Sequence, residues 1–516
     1  MLQQFDRIRI DNELATIKFI GALPAWGPTT TAFGIEWDRP ERGKNNGELN
    51  GISYFKTDIT GAGSFIKSSN KKIELNRQTF VQQLLSNYAV DSYTDQRLHF
   101  GSKRVEEYGL DKLNKIHANF LNLKSVTLDH KLIYIGYADD EKDIVDIFSK
   151  LANLAYLDLG FNLINDLSIV WGIIDRIPSL TKLILNGNRF FDLSKSVIIP
   201  HNLQSLHLSS TNISASQIAE GVTAKFPNLQ ELYLSGNNYQ DEDVANLCLE
   251  DTYLDVLDLS LNAISVIPTN LKHIRSLILS DNLIRAISPD CKMEELKSID
   301  LRRNQIQSLD FIDTLYLNLP RISELRINNN PVFEKMGVEE MTIQLIARFE
   351  CDDHKRSSTK LFKLNGSLLN EDEISNAELY FISKVKQNEV SFKNEKRWKK
   401  LVAKHDIAEH FTDSPKSKRT TLSMIGTSRL LLQVQVEDKI IISRYFLNTF
   451  TVLRLKGLIS KQLNNISVRK LQLHYYVNEF DKDSTLKVKF DIDDDISILD
   501  NFGFHENQTI YTTIEP

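Results

Sequence analysis

LANLAYLDLGFNLI, residues 151–164, decides how this chain is read. It carries Leu154, Leu157 and Leu159, and then Asn162. The same residue types return in the same order downstream. SLTKLILNGN has Leu180, Leu183, Leu185 and Asn188, and PNLQELYLSGNN has Leu229, Leu232, Leu234 and Asn237. YLDVLDLSLNAI ends its motif on Asn262, IRSLILSDNLI on Asn282, LKSIDLRRNQI on Asn304 and RISELRINNNP on Asn330. Two further units depart from the pattern: NLQSLHLSSTNI has Thr211 at the Asn position, and NLKSVTLDHKLI has Lys131 there.

About nine leucine-rich repeats follow, at spacings of roughly 20–31 residues. One such repeat cannot bury its own apolar face, so stacked repeats share a core filled by the Leu positions. The Asn stands where the chain bends away from a short strand, and its amide can serve backbone groups that the bend leaves unpaired. These residues predict an α/β solenoid over 119–338, closed by a helical, polar cap over 339–385. The middle outward position of the repeat strands reads Asp158, Ile184, His207, Tyr233, Asp258, Ile278, Asp300 and Arg326. Water does not favour Ile184, Tyr233 and Ile278 in that column. With Arg326 they are candidate contacts on the concave face, against the alternative that isolated exposed apolar residues are normal.

Outward from the array, the bulk numbers bound the rest. At 516 residues the chain exceeds one core, and about 150 residues per domain predicts three or four domains. A net charge of −6 argues against bulk nucleic-acid binding, which favours clearly basic domains. Cys248, Cys291 and Cys351 form no CxxC pair and read as buried, reduced thiols of a cytosolic protein. The opening MLQQFDRIRIDNELATIKF has no apolar h-region, and no run of about 18 apolar residues is present. The expectation is a cytoplasmic protein without a membrane partner.

Catalytic readings are weak. Gly61-Ala62-Gly63 lacks the Lys-Ser/Thr of a phosphate loop. His201, His207 and His273 are not at metal-ligand spacing, His207 reads as a solvated outward residue, and no nucleophile–base pair is visible. Asp493-Asp494-Asp495 reads as a loop rather than a cation site. No catalytic residue, metal or cofactor is expected.

Before the array, residues 5–70 alternate short β patterns with Gly and Pro punctuation, as in a small barrel, and 76–88 (NRQTFVQQLLSNY) has helical spacing. After it, 386–428 contains KNEKRWKK and SPKSKRTT, a helix tail running into a basic, flexible linker; nucleic-acid binding is the other reading of that run. In 429–516, RLLLQVQV and KIIISRYF are strands with a tight turn at Glu437-Asp438. TVLRLKGLISKQL is a helix with Val452, Leu455, Leu458 and Ile459 on one face, and LQLHYYV is a further strand.

Residues 5–72 resemble a CAP-Gly domain. The match rests on Phe19-Ile20-Gly21, Gly34-Ile35-Glu36-Trp37-Asp38, Arg42-Gly43-Lys44-Asn45-Asn46-Gly47, Gly51 with Tyr54-Phe55, and Gly63-Ser64-Phe65-Ile66. Asn46 stands where the family often has Asp, and Ala32 where it usually has Trp. The resemblance implies a groove for acidic, aromatic C-terminal tails such as that of α-tubulin. Its candidate residues here are Gly43, Lys44, Asn45, Asn46, Gly47, Trp37, Phe55 and Phe65. The chemistry is intelligible: the glycines admit an extended peptide, Lys44 meets a carboxylate, the Asn amides pair with peptide backbone, and Phe55 and Phe65 floor a pocket.

The order of elements in 429–516 resembles a ubiquitin-like β-grasp. Its ending, Ile514-Glu515-Pro516, lacks the Gly-Gly needed for conjugation, so a built-in domain is expected. CAP-Gly barrel, leucine-rich array and ubiquitin-like domain in that order resemble the tubulin-folding cofactor E family. LHFGSKRVEEYGLDKLNK (98–115) and KLNGSLLNEDEISNAELYFI (363–382) look like that family's connector and post-repeat cap. The expected organisation is multidomain: 5–72 CAP-Gly, 73–118 helical connector, 119–338 repeats, 339–385 cap, 386–428 helix and basic linker, and 429–516 ubiquitin-like. The resemblance implies a non-enzymatic chaperone that binds α-tubulin. It would work with other tubulin-folding cofactors on assembly and dissociation of the α/β heterodimer, associated with the cytoskeleton. A microtubule-associated adaptor, and a scaffold reaching the proteasome through 429–516, are the other readings.

Overall fold

The computed structural model describes residues 2–89, 99–100, 103–104, 119–191, 199–249, 252–269, 271, 273–288, 291–353, 360–407, 429–447, 450–464, 466–477, 488–505 and 507–514. They fall into two compact units, one within Met1–His410 and one within Phe411–Pro516.

The first unit opens with a five-stranded antiparallel sheet, in the order Gly63–Lys67, Thr31–Trp37, Glu13–Ala22, Arg7–Ile10 and Ile73–Glu74. Alternation along these strands sends Ile8, Ile10, Ala15, Ile17, Phe33, Ile35 and Trp37 into one small core. The chain leaves the barrel through Gln78–Thr79, which pairs in parallel with Ile133–Ile135 of the first repeat. The expected helix follows at Phe80–Tyr88, and Thr79 and Gln82 form a capping box at its start.

The array is an eleven-stranded sheet. Its repeat strands run in register: Val126, Leu157, Leu183, Leu206, Leu232, Leu257, Leu277, Ile299 and Leu325 form one buried column. The Asn residues act as expected. The Asn162 Oδ1 accepts the backbone N–H groups of Lys131 (2.9 Å) and Ile133 (3.0 Å), and its Nδ2 donates to the carbonyls of Leu128 and Leu159. Both departures have a physical reason. The Thr211 hydroxyl donates to the Leu208 carbonyl at 2.8 Å, doing part of the amide's work. Lys131 begins the series, so no earlier repeat strand offers it carbonyls to cap. One regularity was not read from the sequence: the residue before the Asn position is left-handed in every repeat. It is His130, Phe161, Gly187, Ser210, Gly236, Leu261, Asp281, Arg303 and Asn329, with φ between 52° and 70°.

The cap consists of the helices Val338–Arg348 and Glu371–Lys386 and a hairpin, Lys363–Leu364 with Ser367–Leu368. It continues further than 385. The helix Glu395–Lys404 packs back through Arg397, Leu401 and Val402, so KNEKRWKK belongs to a docked helix whose other face is exposed. Glu378, fully buried, explains why. It is met by Arg397 at 3.0 Å, Lys404 at 2.7 Å and His405 at 2.8 Å, while the Arg397 Nε donates to the Ala347 carbonyl. Most of the 98–115 stretch and the run from 408 to 428 lie outside the described residues. Cys291 and Cys351 are buried as expected, and burial pushes their thiols up to about 11 and about 12. Cys248 corrects the expectation of three buried thiols: it is exposed, at a left-handed turn.

The second unit is a five-stranded mixed sheet in the order Lys439–Leu447, Arg429–Val436, Gln508–Ile514, Leu471–Tyr476 and Lys489–Ile492. Its helix, Val452–Gln462, buries Val452, Leu455 and Ile459 against Leu432, Val434, Leu473 and Ile510. The sequence reading assigned no strand to 489–492. Asp494 accepts from the Ile496 backbone and the Ser497 hydroxyl, and Asp495 pairs with Lys456, so this acidic run is a structured loop.

Candidate functional site

The groove motif is built by two loops that hold each other. The backbone N–H groups of Lys44 and Asn45 donate to the Gly63 carbonyl at 2.7 and 3.1 Å, and the Gly63 N–H returns to Asn45 at 2.8 Å. The Asn45 Oδ1 accepts from the Gly47 N–H, and the Asn46 Oδ1 from the Gly61 N–H. Gly43 is required by proximity rather than by φ: a Cβ there would stand 1.9 Å from the Gly61 carbonyl oxygen. Gly47, at φ 91°, would need its Cβ 2.1 Å from the Phe55 carbonyl oxygen.

The carbonyl ends of both Asn side chains are therefore spent on folding the loop. Their Nδ2 groups and the exposed Lys44 ammonium have no partner among the described residues. The loop presents donors and positive charge, which suits an acceptor-rich, acidic ligand. Beside it runs an aromatic chain in edge contacts: Phe19 to Tyr54 (5.4 Å between ring centres), Tyr54 to Phe65 (5.5 Å) and Phe65 to Phe55 (5.4 Å). Phe55 is buried and Phe65 half-buried, so Phe65, Tyr54 and Phe19 offer the accessible ring surface. Phe19 and Tyr54 were legible in the motif but not singled out as ligand contacts.

Trp37 is corrected. It lies 6 % exposed in the barrel core, with its indole N–H donated to the Ser64 hydroxyl at 3.1 Å and the Arg42 guanidinium over its ring. It supports the loop from beneath rather than lining an open groove. Ala32 is fully buried, and its cross-strand neighbour Lys67 carries its ammonium over the Trp26 ring at 5.9 Å.

On the array, Asp158, Ile184, His207, Tyr233, Asp258, Ile278, Asp300 and Arg326 do form one column, strand by strand. The acids have local duties. The carboxylates of Asp158, Asp258 and Asp300 each accept the backbone N–H two residues on, closing the bend after the strand. Ile184, Tyr233, Ile278 and Arg326, all half-buried, have no such duty. Ile184, His207 and Tyr233 occupy adjacent strands, and the His207 and Tyr233 rings stack at 4.0 Å and 9°. The three form a continuous apolar and aromatic strip.

Burial, reinforced by Lys182, lowers the His207 pKa to about 4, although Glu231 opposes the shift. The ring is neutral at pH 7, as a stacked, partly desolvated imidazole should be. Its folded pKa lies below the unfolded value near 6.5, so the unfolded chain binds more protons between those limits. This residue's contribution to stability therefore falls as pH drops through about 6.5 towards 4. A proton NMR titration should show no His207 transition above pH 5; a midpoint near 6.5 would show the ring to be solvated.

Among the described residues no cluster of His, Cys, Asp and Glu could hold a metal, and no helix is long and apolar enough to cross a membrane. The CAP-Gly domain family model matches residues 5–71, and a leucine-rich-repeat model matches 178–238. The chain is 27% identical to Protein PAC2 of Saccharomyces cerevisiae, over 89% of this chain and 88% of that protein. It is 27% identical to Tubulin-specific chaperone E of Bos taurus, over 91% of each, and 25% identical to Tubulin-folding cofactor E of Arabidopsis thaliana, over 74% and 73%.

Proposed function

From a chain whose similarity to the tubulin-folding cofactor E family runs along most of its length, we propose a tubulin-folding chaperone that binds α-tubulin and acts, with other folding cofactors, in assembly and dissociation of the α/β heterodimer. The observation that carries this reading is the Lys44 loop, with its exposed ammonium and unpartnered amide donors, beside the Phe19–Tyr54–Phe65 rings. An acidic tail ending in an aromatic residue matches both halves of it. We keep the domain limits 5–72, 73–118, 119–338 and 429–516 as part of this proposal, and extend the cap through the helix Glu395–Lys404. We read 429–516 as a ubiquitin-like β-grasp; its neighbouring, parallel first and last strands and packed helix support that assignment. The proposed setting is the cytosol, and the proteasome is a further candidate partner for that domain.

The work needs no covalent step. A micromolar tail contact is worth about 8 kcal/mol. Swinging a two-state balance from 1:99 to 99:1 takes about 5.5 kcal/mol of differential binding. A flexible tail is accessible in the free subunit and in the dimer alike, so the tail site supplies little of that difference. The array must contact what pairing hides or strains, and the Ile184–His207–Tyr233 strip with Ile278 is the surface suited to it. Replacing Tyr233 and Ile278 together by Ser should weaken capture of α-tubulin at least tenfold (about 1.4 kcal/mol) while the melting profile stays. Undiminished capture by a folded double variant removes the concave face from this function.

A further inference from the structure

We infer that barrel and array form one preset clamp, with the tail groove held at a fixed place beside the concave strip so that a single partner subunit engages both at once. The inference rests on the chaperone reading above and adds to it how the two contacts are joined.

The barrel is docked across the first four repeats. The Arg9 Nη1 donates to the His130 carbonyl of the first, and the Arg77 guanidinium lies over the Tyr134 ring at 4.3 Å. In the second, the Asn165 amide donates to the Phe5 carbonyl at 3.0 Å. In the third, the Phe5 and Phe191 rings meet at 5.4 Å and Arg189 pairs with Asp38 at 3.5 Å. In the fourth, the Asn212 amide reaches Asp58 at 3.2 Å. At the centre Arg7 is fully buried, bidentate on Asp38 at 2.5 and 2.6 Å, and it also donates to the Thr16 hydroxyl within the barrel and to the Gly187 carbonyl of the array. A buried guanidinium tolerates such a position only when every partner stays in place. Burial pushes the Asp38 carboxyl up, but Arg7 and Arg189 together bring it below the ordinary carboxylate range.

Two placements turn this docking into a functional statement. Gly187, Arg189 and Asn212 lie just past the strands Lys182–Ile184 and Ser205–His207, so the barrel sits on the edge bordering Ile184 and His207 of the strip. The segment 57–63 also faces both ways. Gly61 and Gly63 hold Asn46 and Asn45 of the groove loop. Asp58 holds Asn212 of the array and Lys18, whose ammonium lies 4.9 Å from the centre of the Phe191 ring. The array thereby orients the groove. Asp58, Arg189, Phe191 and Asn212 are positioning residues, not ligand contacts.

Linking two sites in a geometry that fits one ligand raises its affinity by roughly 10²–10⁴ without new contacts, and a poor geometry forfeits that gain. The test uses the full chain with Arg189→Ala and Phe191→Ala, which leave the Arg7–Asp38 pair within the barrel. Three probes are measured: a synthetic acidic peptide ending in an aromatic residue, complete α-tubulin, and α-tubulin lacking its tail. The clamp requires peptide and tail-less α-tubulin to bind within twofold of the parent, and complete α-tubulin at least tenfold more weakly. Equal affinity for complete α-tubulin overturns it. If that variant melts early, Asn165→Ala with Asn212→Ala replaces it; a stable pair without the selective loss also overturns the clamp. A parent chain that ignores the peptide rejects the tail-groove reading itself, and the clamp with it.

Discussion

Gly43→Val abolishes capture of an acidic, aromatic-ended peptide, by a hundredfold or more, equivalent to about 2.7 kcal/mol. The added Cβ would stand 1.9 Å from the Gly61 carbonyl oxygen and 2.5 Å from the Ala62 Cα and carbonyl carbon. All three are backbone atoms and cannot swing aside as the end of a side chain would. The 43–47 loop must then leave the 57–63 segment, breaking the Lys44 and Asn45 bonds to Gly63 and displacing the Lys44 ammonium. The array has its own continuous core and should melt as before. Lys44→Ala makes the milder comparison: it removes one charge from an intact loop and should cost about tenfold, near 1.4 kcal/mol. Binding by Gly43→Val within threefold of the parent would place the ligand somewhere other than this loop.

Asn237→Ala has the largest expected effect on stability, about 3–5 kcal/mol. One buried amide serves two repeats. Its Oδ1 accepts from the N–H groups of Thr211 and Asn212, both at 2.9 Å, and its Nδ2 donates to the Leu208 and Leu234 carbonyls at 2.9 and 3.0 Å. Alanine leaves the Thr211 and Asn212 N–H groups without their acceptor, while the Leu208 and Leu234 carbonyls keep only the Thr211 hydroxyl and the Asn262 amide. The penalty is the desolvation of the two N–H groups, which exceeds the net worth of a single bond. Denaturant unfolding followed by circular dichroism measures it. A loss under about 1 kcal/mol would mean that water takes the amide's place.

The legible parts of the molecule are those whose cause is local or periodic. Leu157, Leu183 and Leu232 could be aligned by eye because each repeat meets only its neighbours, so position within a repeat already fixes inside or outside. The Lys44 loop was legible for a related reason: its glycines, amides and cation lie within five consecutive residues, 43–47. Trp37 was misplaced because motif membership does not say which face of a strand a ring occupies; pairing with the Gly63–Lys67 strand turns it inward beside Ser64. The basic look of KNEKRWKK was also a poor guide. Arg397 answers Glu378, whose charge is buried in a different helix, and composition cannot pair residues across that separation.

By itself the sequence determined the repeat period, the buried column, the Asn caps of seven of the bends and the make-up of the Lys44 loop. These depend on spacing along one chain, and short-range sterics and burial enforce them wherever the motif occurs. Only the tertiary structure decided that the acids of the outward column serve their own turns, that Ile184, His207 and Tyr233 join into one strip, and that Arg7, Asp38 and Arg189 bind barrel to array. The reason is physical. A buried charge is tolerated only through partners brought from distant segments, and those partners are chosen by packing, which no single stretch of sequence contains.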